Sequence, residues 1–198
     1  MMGGEGRGGR WRAISPFAWR PCGNGEAEDA GIIRTERLRL RPLTVRDTAR
    51  IAVLAGDWDV ASMTARIPYP YSRELAEQWI GGLAEGEIVR GIERRGALIG
   101  VCGYLPDGSG SAEIGYWIGK PWWGQGFATE AARAVVEHCF AAGFERVTSG
   151  HFIDNPASGK VIAKLGFQFI GVDRLWCEAR QAEVETLRYE LRRSPASD

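Results

Sequence analysis

The sequence predicts an α+β domain in which a mixed, mostly antiparallel sheet is flanked by helices. Three observations predict it: three strands separated by tight turns lie mid-chain, two helices with Gly at their ends follow, and a hairpin closes the sequence. The predicted order is β-α-α-α-β-β-β-α-β-α-β-β. With 198 residues, 44% of them hydrophobic and 25% charged, the chain has the size and composition of one globular domain.

The first half of the domain opens with a half-exposed strand. Leu38 and Leu40 alternate with arginines until Pro42, which cannot donate to a sheet ladder. Thr44 and Asp47 then form the capping pattern of a helix start. The elements predicted in this half are a strand over 35–42, a helix over 44–55, a short helix over 57–64, a Pro-locked loop over 67–71 and a helix over 72–84.

The second half alternates strands and helices. Arg95, Gly96 and the Gly-rich segment 106–110 separate three strands, which indicates an antiparallel meander. Gly143 and Gly166 end two helices. The elements predicted in this half are strands over 87–94, 97–105 and 112–119, a helix over 127–142, a strand over 146–153, a helix over 155–165, and a hairpin over 167–176 and 183–192.

Residues 1–31 differ from the domain that follows them. They are rich in Gly and Arg and show no hydrophobic period of 2 or 3.6 residues. We predict a flexible tail over 1–31, the domain over 32–193 and a second short tail over 194–198.

Composition argues against several classes of protein. Lys and Arg total 25 and Asp and Glu total 25, so no basic excess points to direct nucleic-acid binding. No apolar run approaches 18 residues, so no membrane span is predicted. Scattered cysteines and two distant histidines predict no metal site and indicate a reducing, cytoplasmic setting. These residues are Cys22, Cys102, Cys139, Cys177, His138 and His151.

A glycine-rich loop between the strand over 112–119 and the helix over 127–142 carries the strongest functional signal. Gly124, Gly126 and Ala128 place small residues where backbone can approach a ligand. The unpaired N–H groups of the first helical turn form an anion site that suits a pyrophosphate. No Lys-Ser/Thr pair follows the glycines, and Thr129 replaces the third Gly of a dinucleotide fingerprint. A plain tight turn is the alternative interpretation.

The loop resembles a known motif. Trp123-Gly124-Gln125-Gly126-Phe127-Ala128 is similar to motif A of the GCN5-related N-acetyltransferases, Gln/Arg-x-x-Gly-x-Gly/Ala, with Trp123 where Gln or Arg is usual. The preceding Ala-Glu-Ile-Gly-Tyr-Trp, residues 112–117, resembles the RimJ/RimL branch, which acetylates ribosomal-protein N-termini. The resemblance implies the acyl-CoA N-acyltransferase (GNAT) fold and acetyl-CoA as co-substrate. The residues implied to bind acetyl-CoA are Trp117, Ile118, Trp123, Gly124, Gln125, Gly126, Phe127, Ala128, Thr129, Asn155 and Ser158.

A second motif lies at 154–167 and resembles the family's Asn-x-x-Ser element that ends in Gly-Phe. The residues alone make Asn155 a helix N-cap and Pro156 the favoured first helical residue. The resemblance adds a hydrogen bond from Asn155 to the pantetheine arm and a place near the thiol for Ser158. Pure capping by Asn155 and a solvent-exposed Ser158 are the alternative interpretations.

Transfer of an acetyl group from a thioester to an amine needs a base, oxyanion donors and a partner for the thiolate. The resemblance implies direct transfer without an acyl-enzyme. We expect Glu113 to be the base, with Glu178 and His151 as rivals and a solvent-facing glutamate as the alternative. Partial burial would raise the pKa of such a base.

The remaining catalytic groups follow from the same strand and helix. A backbone N–H of Trp117 or Ile118 is expected at the oxyanion, where the family's strand splays from its neighbour. Ser158 is expected to serve the thiolate.

The acceptor site is predicted between the first two helices, the 67–71 loop and the closing hairpin. The hairpin is expected to reach this site near Trp176. Trp58, Tyr69 and Tyr71 are candidates for stacking on the acceptor, with core packing as the alternative. The leading function is an acetyl-CoA-dependent N-acetyltransferase whose amine acceptor is a protein N-terminus or a small molecule. A non-catalytic acyl-CoA-binding module is the alternative, and a homodimer is compatible with either.

Overall fold

A computed structural model describes residues 31–83 and 87–194. The tail predicted over 1–31 lies outside these residues except for Gly31, and 195–198 also lie outside them. The described chain from Gly31 onward forms one unit.

Eight strands and five α-helices make up the described chain. In chain order they are β1 Ile33–Arg34, β2 Arg39–Pro42, α1 Thr48–Ala55, α2 Trp58–Ala61, α3 Arg73–Gly81, β3 Ile88–Arg94, β4 Ala97–Pro106, β5 Ser111–Ile118, α4 Phe127–Ala141, β6 Arg146–Phe152, α5 Pro156–Lys164, β7 Gln168–Cys177 and β8 Ala182–Arg192. The predicted α+β class, the helix count and the closing hairpin are confirmed.

The strands form one mixed sheet in the order β1-β2-β3-β4-β5-β6-β8-β7. Every neighbouring pair is antiparallel except β5 and β6, which are parallel. The parallel pair arises because α4 connects β5 to β6 as a crossover. Tight turns join β1 to β2, β3 to β4, β4 to β5 and β7 to β8, whereas α1–α3 lie between β2 and β3, and α5 and β7 lie between β6 and β8.

The single strand predicted over 35–42 is wrong in one respect, because β1 and β2 are two short antiparallel strands. Thr35 makes the turn between them: its N–H donates to the Leu38 carbonyl at 3.0 Å, and its hydroxyl accepts from the Leu38 N–H at 3.0 Å. The side-chain bond favours a reversal where the alternating pattern favoured extension. The predicted cap at Thr44 is present, but it opens a 3-10 turn, Val45–Asp47, before α1.

Two hydrophobic layers cover the two faces of the sheet. Alternation along β5 divides its side chains between them. Ala112, Ile114 and Ile118 face the core formed with α4 and α5. Trp117 packs on the opposite face against the cluster that includes Ile51 of α1. Each residue of β5 is therefore assigned to the α4 face or to the α1 face.

Strands β5 and β6 pair only at their beginnings. Ser111, Ala112 and Glu113 align with Arg146, Val147 and Thr148, and the ladder stops there. Just beyond, the Ser149 hydroxyl donates to the Ile114 carbonyl at 3.4 Å. We call the gap between Ile114–Ile118 and 149–152 the wedge, and the Glu113 position its apex. Because the strands are parallel, the wedge opens at the shared edge where the glycine loop and the start of α5 both lie.

The start of α5 is seated on β6 through a close approach of backbone to a histidine. A Cβ placed on Gly159 would lie 2.8 Å from Nε2 of His151. The His151 ring is buried, its Nδ1 lies 2.8 Å from the Phe152 carbonyl, and its Nε2 lies 3.2 Å from the Tyr189 hydroxyl. Two hydrogen bonds therefore hold the ring that the helix packs against, and only Gly fits there.

We expect Gly159→Ala to lower the melting temperature by ~3–10 °C. Overpacking lowers the free energy of unfolding by about 1–3 kcal/mol, and the size of the chain sets the corresponding change in melting temperature. Thermal unfolding followed by circular dichroism measures the shift. Gly81→Ala, in α3, is the matched control because no atom lies within 4 Å of its added Cβ. Equal melting temperatures for both variants would contradict the close approach.

Candidate active site

The glycine loop places an anion-binding helix start at the open edge of the wedge. Gly124 and Gly126 have φ of 73° and 80°, in the left-handed region that glycine enters without strain. Gly126 is the N-cap of α4, and Phe127, Ala128 and Thr129 form its first turn. The N–H groups of that turn have no partner within the helix and lie at its positive end. This donor set suits a pyrophosphate.

Trp123, which stands where the motif usually has Gln or Arg, bonds the protein backbone. Its indole Nε1 donates to the Ile118 carbonyl at 2.6 Å. The side chain therefore fastens the glycine loop to the end of β5.

The side chains of Gln125 and Phe127 also stabilise the loop. The Gln125 amide donates to the Pro121 carbonyl at 3.3 Å. Phe127 is buried, and the guanidinium groups of Arg37 and Arg94 lie 4.7 and 4.9 Å from its ring centre. These two cations lie beside the predicted phosphate site. Nothing in the sequence of the loop predicts that they lie there.

Arg37 and Thr35, in the β1–β2 turn, hold the first turns of α4. Arg37 Nε donates to Glu130 at 2.6 Å, and its Nη1 donates to the Gln125 carbonyl at 3.1 Å. The Thr35 hydroxyl donates to Glu130 at 2.6 Å. Partial burial alone would raise the pKa of Glu130, but the bonds from Thr35 and Arg37 outweigh it and hold that pKa below its ordinary value.

A cavity of about 700 Å³ adjoins the loop on the α4 side. Its wall includes Arg37, Gly126, Thr129, Arg133 and Lys164. Arg133 also donates to the Lys164 carbonyl at 3.2 Å, which links α4 to the end of α5. The lining also carries three acids, Glu36, Glu130 and Glu137. Its cations lie beside the start of α4, where they suit the phosphate groups of a ligand.

The backbone of β5 distinguishes the two candidates for the oxyanion. The Ile118 carbonyl is bonded by Trp123, and the neighbouring Gly119 N–H donates to β4 at 2.8 Å. Because the N–H and C=O of one strand residue point to the same side, the Ile118 N–H faces away from β4, on the wedge side. The Trp117 N–H faces β4. Ile118 is therefore the candidate that the geometry favours.

Ser158 lies in the first turn of α5 and bonds a tyrosine of β5. Its hydroxyl lies 2.9 Å from the Tyr116 hydroxyl, so the pair bridges the α4 face of the wedge. Burial raises the pKa of Tyr116 well above its ordinary value. Asn155 Oδ1 accepts from the Ser158 N–H at 3.1 Å, which is the capping role. Its amide NH₂ is left to donate elsewhere.

Glu113 lies at the apex of the wedge, on the face opposite Ser158. Its Oε1 accepts from Arg188 Nη1 at 2.8 Å, and its side chain is 44% exposed. The carboxylate is therefore accessible from the α1 face of the sheet. The sequence around Glu113 does not predict that Arg188 binds its carboxylate.

Glu178 and His151, the two alternative candidates for the base, do not lie on the strand that carries Glu113. Glu178 is in the β7–β8 turn, where its N–H donates to the Ala65 carbonyl at 3.0 Å. Both ring nitrogens of His151 lie within hydrogen-bond distance of protein acceptors or donors beneath α5, on the face away from Glu113. Neither lies on β5, which carries Glu113.

Two of the aromatic residues predicted at the acceptor site, Trp58 and Tyr69, contact each other. Trp58 and Tyr69 meet edge to face with ring centres 5.1 Å apart, and both are about half exposed. Tyr71 packs into the cluster between α1 and α3, as the core interpretation expected. Trp176 is exposed on β7.

Arg180 joins the acceptor wall to the end of β6. Its Nε donates to the Ser62 carbonyl at 2.6 Å, and its Nη1 donates to Asp154 at 2.7 Å. The same guanidinium lies 5.3 Å from the centre of the Phe152 ring. The β7–β8 hairpin is thereby fixed to the loop that follows α2.

Known proteins with this fold share its sequence pattern. Residues 37–168 match the acetyltransferase (GNAT) domain family. YoaA of Bacillus subtilis (strain 168), an uncharacterised N-acetyltransferase, is 31% identical over 180 residues, covering 81% of this chain and 96% of YoaA.

Solved structures agree on the fold. A GNAT acetyltransferase from Bacillus anthracis has a TM-score of 0.72 at 19% identity, covering 81% of this chain and 98% of its own. RimL, the ribosomal L7/L12 α-N-protein acetyltransferase, in complex with coenzyme A, has a TM-score of 0.71 at 20% identity, covering 81% and 97%.

Together with these matches, the splayed strand pair and its glycine loop identify the class of protein as an acyl-CoA-dependent transferase. The chain belongs to the GNAT family of acetyltransferases. The predicted enzyme class and acetyl-CoA co-substrate are confirmed at the level of the family. In 31–83 and 87–194, no three His, Cys, Asp or Glu side chains are grouped to hold a metal ion. No helix in the same ranges has the length and apolar character to cross a membrane.

We expect Gly126→Glu to abolish acetyl-CoA binding, because the new carboxylate would occupy the anion site and repel phosphate. Each charge-assisted bond lost there contributes about 1.5–3 kcal/mol. Titration calorimetry with acetyl-CoA measures the loss. Gly108→Glu is the matched control, since Gly108 has φ of 78° in the β4–β5 turn. Normal binding by folded Gly126→Glu would refute the anion site.

The bonds to Glu130 predict a pH-dependent stability. A carboxyl whose pKa is lowered by folding stabilises above its ordinary value of 4.5, and this contribution is lost as pH falls through the lowered value. We expect Glu130→Gln to lower the melting temperature by ~2–4 °C at pH 7, which corresponds to a loss of about 1 kcal/mol in the free energy of unfolding. The difference from wild type should shrink below pH 4.5.

Melting curves recorded from acidic to neutral pH test this. Glu137→Gln, on an exposed face of the same helix, is the control and should leave the curves unchanged. A Glu130→Gln deficit that grows on acidification would contradict the assignment.

Proposed function

We propose that this enzyme transfers the acetyl group of acetyl-CoA directly to a primary amine. One observation carries the proposal: a half-exposed carboxylate, Glu113, lies at the apex of a wedge whose open edge holds an anion-binding helix start. A carboxylate at that place can accept the proton of an ammonium group before the amine attacks.

Acetyl-CoA, when bound, supplies an activated acetyl thioester. The residues that would hold it are those of the open edge. The first turn of α4 binds the pyrophosphate, the Asn155 amide donates to the pantetheine arm, and the Ile118 N–H on the wedge side donates to the acetyl carbonyl.

Glu113 acts as the base in this proposal. It lies on the α1 face of the sheet, and the Trp58–Tyr69 pair belongs to the acceptor wall on that face. Acceptor and thioester thus approach the apex from different sides. Such an arrangement favours direct transfer within a ternary complex.

Ser158 and Tyr116 serve the leaving thiolate in this proposal. Tyr116 is a neutral phenol at pH 7, and burial raises its pKa further, so it serves as a hydrogen-bond donor and not as a source of a proton. A protonated phenol 2.9 Å from the Ser158 hydroxyl can donate to it while that hydroxyl donates to the thiolate. Tyr116 is therefore a positioning residue. It belongs to the motif at residues 112–117, but the sequence predicted no role for it.

The acceptor is a protein N-terminus or a small-molecule amine. RimL, whose fold this chain shares, acts on a protein α-amine. A module that only binds acyl-CoA would have no use for a carboxylate at the apex, and turnover with a panel of amines separates the two functions. The buried thiols Cys102, Cys139 and Cys177 suit the reducing cytoplasm that we propose as the setting.

We expect Glu113→Gln to lower kcat about 10²-fold or more at pH 7, because Gln keeps the shape but has little proton affinity. Acetyl-CoA affinity should stay unchanged. Raising the pH should partly restore the rate, since more of the free amine is then deprotonated. Ser158→Ala should also slow turnover, but without that recovery, because its defect lies in the leaving group.

The pH–rate profiles are measured with the best amine of the panel. Glu183→Gln, an exposed ion-paired glutamate on β8, is the control and should behave as wild type. Wild-type rates for Glu113→Gln at every pH would place the base elsewhere, and Glu178 would be changed next.

A further inference from the structure

Arg188 crosses the sheet to reach the apex of the wedge. It lies on β8 directly opposite Gly150 of β6. A Cβ on Gly150 would lie 3.2 Å from Arg188 Nη1 and 3.3 Å from its Cδ. Gly150 thus leaves room for the arginine to lie flat across β6 and contact Glu113 on β5.

The guanidinium is far from saturated by the protein. Among the described residues, its side chain makes one hydrogen bond, from Nη1 to Glu113 at 2.8 Å. The Nε and Nη2 edge remains, and this edge offers two parallel donors with the spacing of a carboxylate. The side chain as a whole is only 21% exposed, so it is more shielded from water than a surface arginine.

The nearest carboxylate on β8 is paired with other arginines. Glu190, two residues along β8, accepts from Arg192 at 2.9 Å and lies 3.9 Å from Arg146. The apex therefore presents one carboxylate and one partly unsatisfied guanidinium next to each other. An ammonium group and a carboxylate group on the same small molecule would match this pair.

Building on the proposed function, we propose that the acceptor is an α-amino acid or a similar small zwitterion, whose carboxylate binds the Nε and Nη2 edge of Arg188. Its amine then lies beside Glu113, which takes the proton. A protein N-terminus has the ammonium group but carries a neutral amide where the carboxylate would be. Such an acceptor leaves the charge of Arg188 without a full partner.

The experiment compares matched acceptors: L-amino acids, their primary amides, the corresponding decarboxylated amines and short peptides. Wild type should prefer amino acids to amides by about tenfold or more in kcat/KM. Arg188→Gln should erase that preference by weakening amino acids alone, and Arg188→Lys should keep part of it. Arg192→Gln, an arginine four residues along the same strand, is the control and should keep it all.

Binding supplies a second measurement. Titration of the preferred amino acid into the enzyme with coenzyme A should give a heat signal that Arg188→Gln loses. If Arg188→Gln slows every acceptor equally, the arginine only positions Glu113 and the proposal is wrong. A wild-type preference for amides, amines or peptides also overturns it. Turnover of no amine, with acetyl-CoA still bound, would instead overturn the proposed function and this proposal with it.

Discussion

The parting of β5 and β6 after three paired residues is the constraint on which the site depends. Each strand has one edge satisfied by an antiparallel neighbour, β4 or β8, and the facing edges diverge beyond Glu113. Backbone groups such as the Ile118 N–H are left for a ligand because no strand claims them. The same divergence brings the starts of α4 and α5 to one edge, which gives the phosphates and the reactive end of the proposed donor separate binding places.

Two distinct chemistries share the wedge without interfering because strand alternation separates them. Tyr116 and Ser158 lie on the α4 face, whereas Glu113 and Arg188 lie on the α1 face. In the proposed reaction the acceptor's proton leaves on one side, and the leaving thiolate receives a hydrogen bond on the opposite side. Two residues of one strand, three positions apart, thereby take opposite roles.

The sequence predicted what local patterns control. Alternation, helix caps and turn glycines placed the elements, the glycine loop and the capping role of Asn155. The β1–β2 reversal was missed because it depends on the hydroxyl of Thr35. Arg188 was missed because its contact with Glu113 needs the register of β6 on β8 and the absence of a side chain at Gly150. Neither is visible in the residues around Arg188 itself.

The guanidinium of Arg180 has a mechanical consequence. It bonds the loop after α2 and also Asp154, the residue before the Asn155 cap of α5. One side chain therefore links the predicted acceptor wall to the start of α5. In the proposed site, an acceptor that pushes these two segments apart would have to break the bidentate pair between Arg180 and Asp154, so the arginine would act as a check on the width of the acceptor.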